Sequence, residues 1–372
     1  MAPRICILLP AHWGSQKGGA EYQAHCLADY IANQTECDVV YLTREAPEET
    51  SSYSYPIERF VGPRLLRQLR WGFSPDSVAL YNALKSLNPD AIIQIVASAH
   101  TGVAAYYAKR FNKLMYWYLA SDMDVEATPN LGVRGPARWI DSLLFRYGTK
   151  HCTHILAQTA KQNARMQQTM QRAALSVVPN FHPKPDDDIE KNSRFTVTWV
   201  ANLKPLKQPE LFIRLAKDLH HEDIAFHMIG RMHDSDWGRE VADDMADAAN
   251  ISYLGELEID EVNQQFSRSH LFVNTSEYEG FPNTFIQAWM RDVPTLSINV
   301  DPDSVIEKNQ LGARTGDYAG LVEAVSSYYH NREKLTATAQ RARSFSESNY
   351  SMQNAEQIVQ FVRDHLQQQS SV

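Results

Sequence analysis

The stretch Ser276-Glu-Tyr-Glu-Gly-Phe-Pro-Asn-Thr-Phe-Ile-Gln287 sets a carboxylate, a glycine and a proline at the mouth of an amphipathic run. Gly280 and Pro282 bend the chain after Glu279, Asn283 can cap the helix that follows, and the next amides, from Thr284 on, point out of its N-terminus. Such an end carries partial positive charge and free N–H donors, which suits a diphosphate. Glu279 would reach past the phosphates to whatever they carry, and Gln287, further along the helix, would lie near the next moiety. An ordinary capped helix is the alternative reading of the same residues.

The elements that position these groups read as two α/β series. Apolar runs at Ile5–Leu9, Asp38–Leu42, Ala91–Val96, Leu114–Leu119 and His154–Ala157 alternate with helical periodicity at Glu21–Ala32, Val78–Leu87, Val103–Arg110 and from Ala160 to about Arg172. A proline- and charge-rich stretch, Pro179–Arg194, follows. Strands at Phe195–Val200, Ala225–Ile229, Ile251–Leu254, Leu271–Asn274 and Pro294–Ile298 then open a second series. Strands alternating with helices imply parallel sheets covered on both faces. The expected organisation is a Rossmann-like domain over 1–180, a linker over 181–194, a second Rossmann-like domain over 195–345, and a helical segment over 346–372 packing back toward the first. Two such doubly wound halves are expected to face a central cleft.

The chain's 372 residues suit two domains. Its 36 Lys and Arg against 44 Asp and Glu give a net charge of −8, which disfavours broad nucleic-acid binding. Cys6, Cys26, Cys37 and Cys152 form no CxxC pair and read as reduced thiols of a cytosolic protein. The N-terminus reads as a buried strand rather than a signal peptide, and no run of apolar residues is long enough to span a bilayer. Membrane contact would therefore be peripheral. Arg59–Phe73, with four arginines interleaved with leucines and aromatics and no acid, could rest on an anionic inner membrane face or pack its leucines on the first lobe.

Further stretches carry chemistry. Gly18 and Gly19 allow close backbone approach to a phosphate or sugar. Trp199–Ala216 contains Asn202, Lys204 and Lys207; Gly230 and Leu254 close the next two strands. Asp122-Met-Asp124 spells a three-residue D-x-D, and His151 with His154 is the nearest approach to ligand spacing, but neither gathers further ligands, so no metal site is read.

The segment from Ser276 to Trp289 resembles the donor-binding signature of retaining glycosyltransferases of family 4, which share the GT-B fold. It matches at Ser276, Glu279, Gly280, Phe281, Pro282 and Ala288, and departs at Gln287, where the family carries a second glutamate. The resemblance implies that Glu279 contacts the donor sugar's hydroxyls, position 287 the ribose, and Lys207 the diphosphate; Asn202 stands where the family has an arginine. Gly18 and Gly19 resemble the family's glycine-rich loop, and Gly230 and Leu254 end strands whose loops surround the base. Where many members carry a histidine near the reaction centre, this chain has Ala120, Ser121 and Asp122; Asp122, or else His100, is the candidate polar group there, beside a purely structural role for each.

The activity this implies is metal-independent, retaining transfer of a hexosyl group from a UDP- or GDP-sugar to a sugar or lipid-linked saccharide acceptor, with no cofactor beyond the donor substrate, in polysaccharide or glycoconjugate biosynthesis. A non-catalytic nucleotide-sugar-binding or scaffold protein of the same fold, or a phosphorylase or epimerase, is the alternative.

Overall fold

The computed structural model describes residues 2–62, 73–125, 137–185 and 189–371. Most of the basic stretch Arg59–Phe73 lies outside the described residues. Contacts divide the chain into two units, Met1–His182 with Met352–Val372, and Pro183–Ser351.

In the first unit the described strands are β1 (Arg4–Ala11), β2 (Asp38–Glu45), β3 (Ile57–Arg59), β4 (Ala91–Ile95), β5 (Leu114–Tyr118), β6 (His154–Ala157) and β7 (Ser176–Val177). They form a parallel sheet in the order β3-β2-β1-β4-β5-β6-β7. Ile5 through Leu9 are fully buried, as a central parallel strand covered on both faces demands. The helix Ala99–Phe111 packs against the helix Ala137–His151 at near-backbone contact: a Cβ on Gly102 would lie 2.1 Å from the Leu144 carbonyl oxygen. The helix Gln353–Ser370 belongs to this unit, burying Ala355, Ile358, Val359 and Val362, and the Tyr116 hydroxyl donates to the Phe361 carbonyl at 3.0 Å.

In the second unit β8 (Phe195–Val200), β9 (Ile224–Ile229), β10 (Ile251–Tyr253), β11 (Leu271–Asn274), β12 (Thr295–Ser297) and β13 (Gly312–Arg314) form a parallel sheet in the order β10-β9-β8-β11-β12-β13. Helices cover it, among them Pro209–Asp218, whose Phe212, Ile213, Leu215 and Ala216 enter the core.

Both units are thus doubly wound Rossmann-like folds. The strand order reverses between β1 and β4 in one and between β8 and β11 in the other. At such a reversal the loops leaving neighbouring strands diverge to opposite faces, which opens a crevice at the strands' carboxyl ends. Among the described residues no helix is long and apolar enough to cross a membrane, and the four cysteines are free and buried.

Candidate functional site

The loops after β8 and β11 flank the reversal point of the second sheet, and each supplies one charged group to it. Lys207 ends a short 3-10 turn, Pro205–Lys207, and Glu279 precedes the bend at Gly280. Lys207 Nζ meets Glu279 Oε2 at 2.8 Å, with both side chains about four-fifths buried at 20% and 17% exposure. The other carboxylate oxygen of Glu279 accepts from Ser276 Oγ at 2.7 Å and Asn274 Nδ2 at 2.9 Å. The carboxylate is therefore fixed in orientation by donors from the end of β11 and its own loop, while the cation comes from the neighbouring loop.

The loops are also tied through their backbones. Thr275 Oγ1 donates to the Lys207 carbonyl at 2.6 Å and accepts from the buried Trp199 indole at 2.9 Å. The amide of Glu277 donates to the Leu206 carbonyl at 3.0 Å. Such ties hold Lys207 and Glu279 in place before any ligand arrives, so less ordering is left for binding to supply.

Asn202, Gly230 and Leu254 gather at the carboxyl ends of β8, β9 and β10. Asn202 Oδ1 accepts from the Arg231 amide at 3.4 Å. Gly230 has φ +143°, and a Cβ there would lie 1.7 Å from the Ala201 carbonyl oxygen, so the position is closed to every other residue as the loop stands. Its amide donates to the Gly255 carbonyl, and Tyr253 donates its hydroxyl to the Gly230 carbonyl.

The helix after the bend runs Asn283–Trp289, with Pro282 as its N-cap and no side-chain cap bond. This corrects the assignment of Asn283 as the cap: Pro282, at φ −68° and ψ 122°, is already extended, and Asn283 is the first helical residue. Thr284 follows it inside the first turn, and Phe281 packs its ring 5.0 Å from Tyr350. Gln287 is only 3% exposed, and its Nε2 donates to Asn263 Oδ1, on the helix Ile259–Arg268, at 2.9 Å. The amide at this position thus has an internal partner that accepts a proton, which a carboxylate would meet acceptor to acceptor unless Asn263 turned.

In the first unit, Gly18 is the N-cap of the helix Gly19–Gln34, at φ −144°. A Cβ on Gly18 would come 2.2 Å from Glu21 Oε2, so the glycine leaves room for the carboxylate of the first turn. Burial raises the pKa of Glu21. Asp122 follows β5 and pairs with Lys161 at 2.9 Å. Asp124 is the buried member of the D-x-D: it accepts from the amides of Ala97, Ala120 and Ser121 at 2.8 to 3.1 Å and so clamps the loops after β4 and β5 together. Burial raises its pKa against those three bonds. His100 is fully buried beside Phe60 and Phe73, with neither ring nitrogen hydrogen-bonded, and so is remote from any solvent-borne substrate. Among the described residues no group of three or more His, Cys, Asp or Glu could hold a metal ion.

Sequence reasoning passes over Asn274, Thr275, Trp199 and Asn263, because each acts through a partner distant in sequence. Only Ser276, as a motif position, carries a local signal.

Residues 194–331 match the family model described as glycosyl transferases group 1. No match to a curated protein sequence was found. Among solved structures, HepE of Anabaena in complex with UDP-glucose is similar at TM-score 0.74 and 14% identity, over 99% of this chain and 100% of that one. WaaG, a glycosyltransferase involved in lipopolysaccharide biosynthesis, matches at TM-score 0.69 and 13% identity, over 96% and 99%. A putative UDP-N-acetylglucosamine 2-epimerase from Listeria monocytogenes matches at TM-score 0.69 and 11% identity, over 99% and 98%. The chain therefore has the GT-B fold, and its residues 194–331 carry the sequence pattern of glycosyl transferases group 1.

Proposed function

We propose that the protein is a retaining, metal-independent glycosyltransferase that moves a hexosyl group from a UDP- or GDP-sugar to a sugar or lipid-linked saccharide acceptor. The observation that carries this reading is the Lys207–Glu279 pair at the reversal point of the second sheet, within the segment that matches the family model. When the donor binds, Lys207 exchanges the carboxylate for the diphosphate, and its charge stabilises the phosphate as the glycosidic bond breaks. Glu279, released on one oxygen and still held on the other by Ser276 and Asn274, accepts from the sugar's hydroxyls. Asn202, Gly230 and Leu254 shape the nucleotide side of the site, and Gly280 to Thr284 present backbone to the phosphates. By the family resemblance, Gly18 and Gly19 allow close backbone approach to a phosphate or sugar, and Asp122 is the candidate polar group of the reaction centre. Polysaccharide or glycoconjugate biosynthesis is the setting this reading favours, supported by the likeness to WaaG.

A non-catalytic nucleotide-sugar-binding protein is the second reading, favoured by Gln287, whose amide donor is engaged by Asn263. Thermal unfolding with UDP, GDP, ADP and their sugar conjugates, followed by analysis of donor consumption and anomeric configuration, tests both. Selective stabilisation with turnover in the presence of an acceptor supports the enzyme; stabilisation without turnover or donor hydrolysis supports the binding protein; inversion of configuration refutes retention.

A further inference from the structure

The loop that leaves β1 at the reversal point of the first sheet is wound around one fully buried residue, His12. The His12 carbonyl accepts from the amides of Ser15 and Gln16, both at 2.9 Å. Its side chain takes a third amide: Gly14 N–H donates to His12 Nδ1 at 3.0 Å. A backbone N–H can only donate, so Nδ1 carries the lone pair and the imidazole proton sits on Nε2. Burial, and then the charges of His25 and Lys17, lower the pKa of His12 to about 4, which keeps the ring neutral at neutral pH.

That one amide sets the direction of a longer chain. His12 Nε2 lies 2.9 Å from Tyr55 Oη and, carrying the proton, donates to it. Tyr55 is then left to give its own hydroxyl proton to His25 Nδ1, at 2.7 Å. His25 sits on the helix Gly19–Gln34, which starts at the two glycines Gly18 and Gly19, and Tyr55 on the segment 46–56 between β2 and β3. The same segment lies across the loop: a Cβ on Gly14 would come 2.3 Å from Tyr53 Oη and 2.9 Å from Pro47 Cβ. Ser54 Oγ pins the segment to the helix by donating to Asp29 Oδ1 at 2.6 Å. A buried polar chain whose members are all bonded specifies a single arrangement of the backbone it holds.

We propose that His12, Tyr55 and His25 are positioning residues for the loop from Trp13 to Gly19. The chain holds His12 as the Nε2–H tautomer, His12 Nδ1 holds the Gly14 amide, and the turn so fixed sets Gly18 and Gly19 for close approach to a phosphate or sugar. This rests on the transfer reaction proposed above and adds what keeps the loop in one shape before substrate arrives, so that less ordering is left for binding to supply. Each of the three acts through the loop and not on the reacting atoms. A histidine that merely fills the core would be replaceable by any side chain of similar shape; a positioning one is replaceable only by a group that still accepts from Gly14.

The test reads both the tautomer and the reaction in the full chain. Long-range proton–nitrogen NMR of histidine-labelled protein at neutral pH should show His12 protonated on Nε2 alone. His12→Leu removes the acceptor, and kcat for transfer should fall on the order of 100-fold at a temperature where circular dichroism shows the variant folded. His12→Asn, whose Oδ1 can take the Gly14 amide, should restore most of that loss. Should His12→Leu fail to fold, Tyr55→Phe, which keeps the ring and removes only the hydroxyl, carries the test with an expected fall of about tenfold. A proton on His12 Nδ1, wild-type turnover by folded His12→Leu or by Tyr55→Phe, or no recovery in His12→Asn would overturn the proposal. Absence of transfer by the wild type overturns the functional reading and this proposal with it, whereas wild-type transfer with unaffected variants overturns this proposal alone.

Discussion

Lys207 and Glu279 leave adjacent parallel strands, β8 and β11, and meet as an ion pair at 2.8 Å before any substrate is present. A charged pair with only partial exposure is held by its surroundings more than by mutual attraction, and here Ser276, Asn274 and Thr275 supply that hold. Removing one partner leaves the other a partly buried charge without its counter-ion.

Glu279→Gln keeps an acceptor for Ser276 and Asn274 but removes the charge facing Lys207. We expect kcat/KM for transfer to fall on the order of 100-fold, as for loss of one preorganised polar group at a reacting centre. Wild-type turnover by this variant would sink the assignment of Glu279.

Gln287→Glu meets Asn263 Oδ1, and rotation of the Asn263 amide restores a donor at little cost. The single variant should unfold within ~1 kcal/mol of wild type and bind the nucleotide at least as tightly. Combined with Asn263→Asp it creates two buried facing carboxyls, which should cost several kcal/mol at neutral pH, on the order of the 3–5 kcal/mol of an uncompensated buried charge, and recover in acid. Denaturant titrations at neutral and acid pH check both.

Gly230→Ala places a Cβ against the Ala201 carbonyl at φ +143°. The loop carrying Asn202 must shift, so we expect a loss of roughly 2 kcal/mol or more in urea unfolding, together with weaker nucleotide binding by calorimetry. Unchanged affinity would separate this loop from the site.

His100 has its pKa lowered to about 3, by burial first and by the Arg44 charge second. The unfolded chain takes up the proton near the ordinary histidine value of 6.5, and the native state only near 3. Stability is therefore full above about pH 6.5 and is lost as pH falls from there toward 3. His100→Phe, beside Phe60 and Phe73, should flatten that acid limb in Tm-against-pH scans. It should also raise stability at pH 7 by ~1 kcal/mol by removing two unsatisfied nitrogens.

The doubly wound architecture is legible because long apolar strands such as Ile5–Leu9 and Phe195–Val200 alternate with amphipathic helices. The two- and three-residue strands β3, β7 and β13 leave no such period. Lys207 and Glu279 can each be singled out from local motifs, yet their pairing depends on β8 lying beside β11, which a linear reading does not contain. The position of Gln287 fails to read for a similar reason: spacing puts it one turn into a helix, but only tertiary packing turns it inward to Asn263. Asn283 reads as a cap because its side chain suits one; the extended backbone of Pro282 takes that place a residue earlier.

The second unit, Pro183–Ser351, is one continuous stretch, whereas the first is closed by residues 352–372. During synthesis the continuous unit can therefore finish folding while the first still lacks the helix that buries its own Ile358, Val359 and Val362 and whose Phe361 carbonyl accepts from Tyr116. A chain cut short before residue 352 keeps its second unit whole and leaves an apolar face of the first uncovered, so quality control of such truncated chains would act on the first unit through a segment distant from it in sequence.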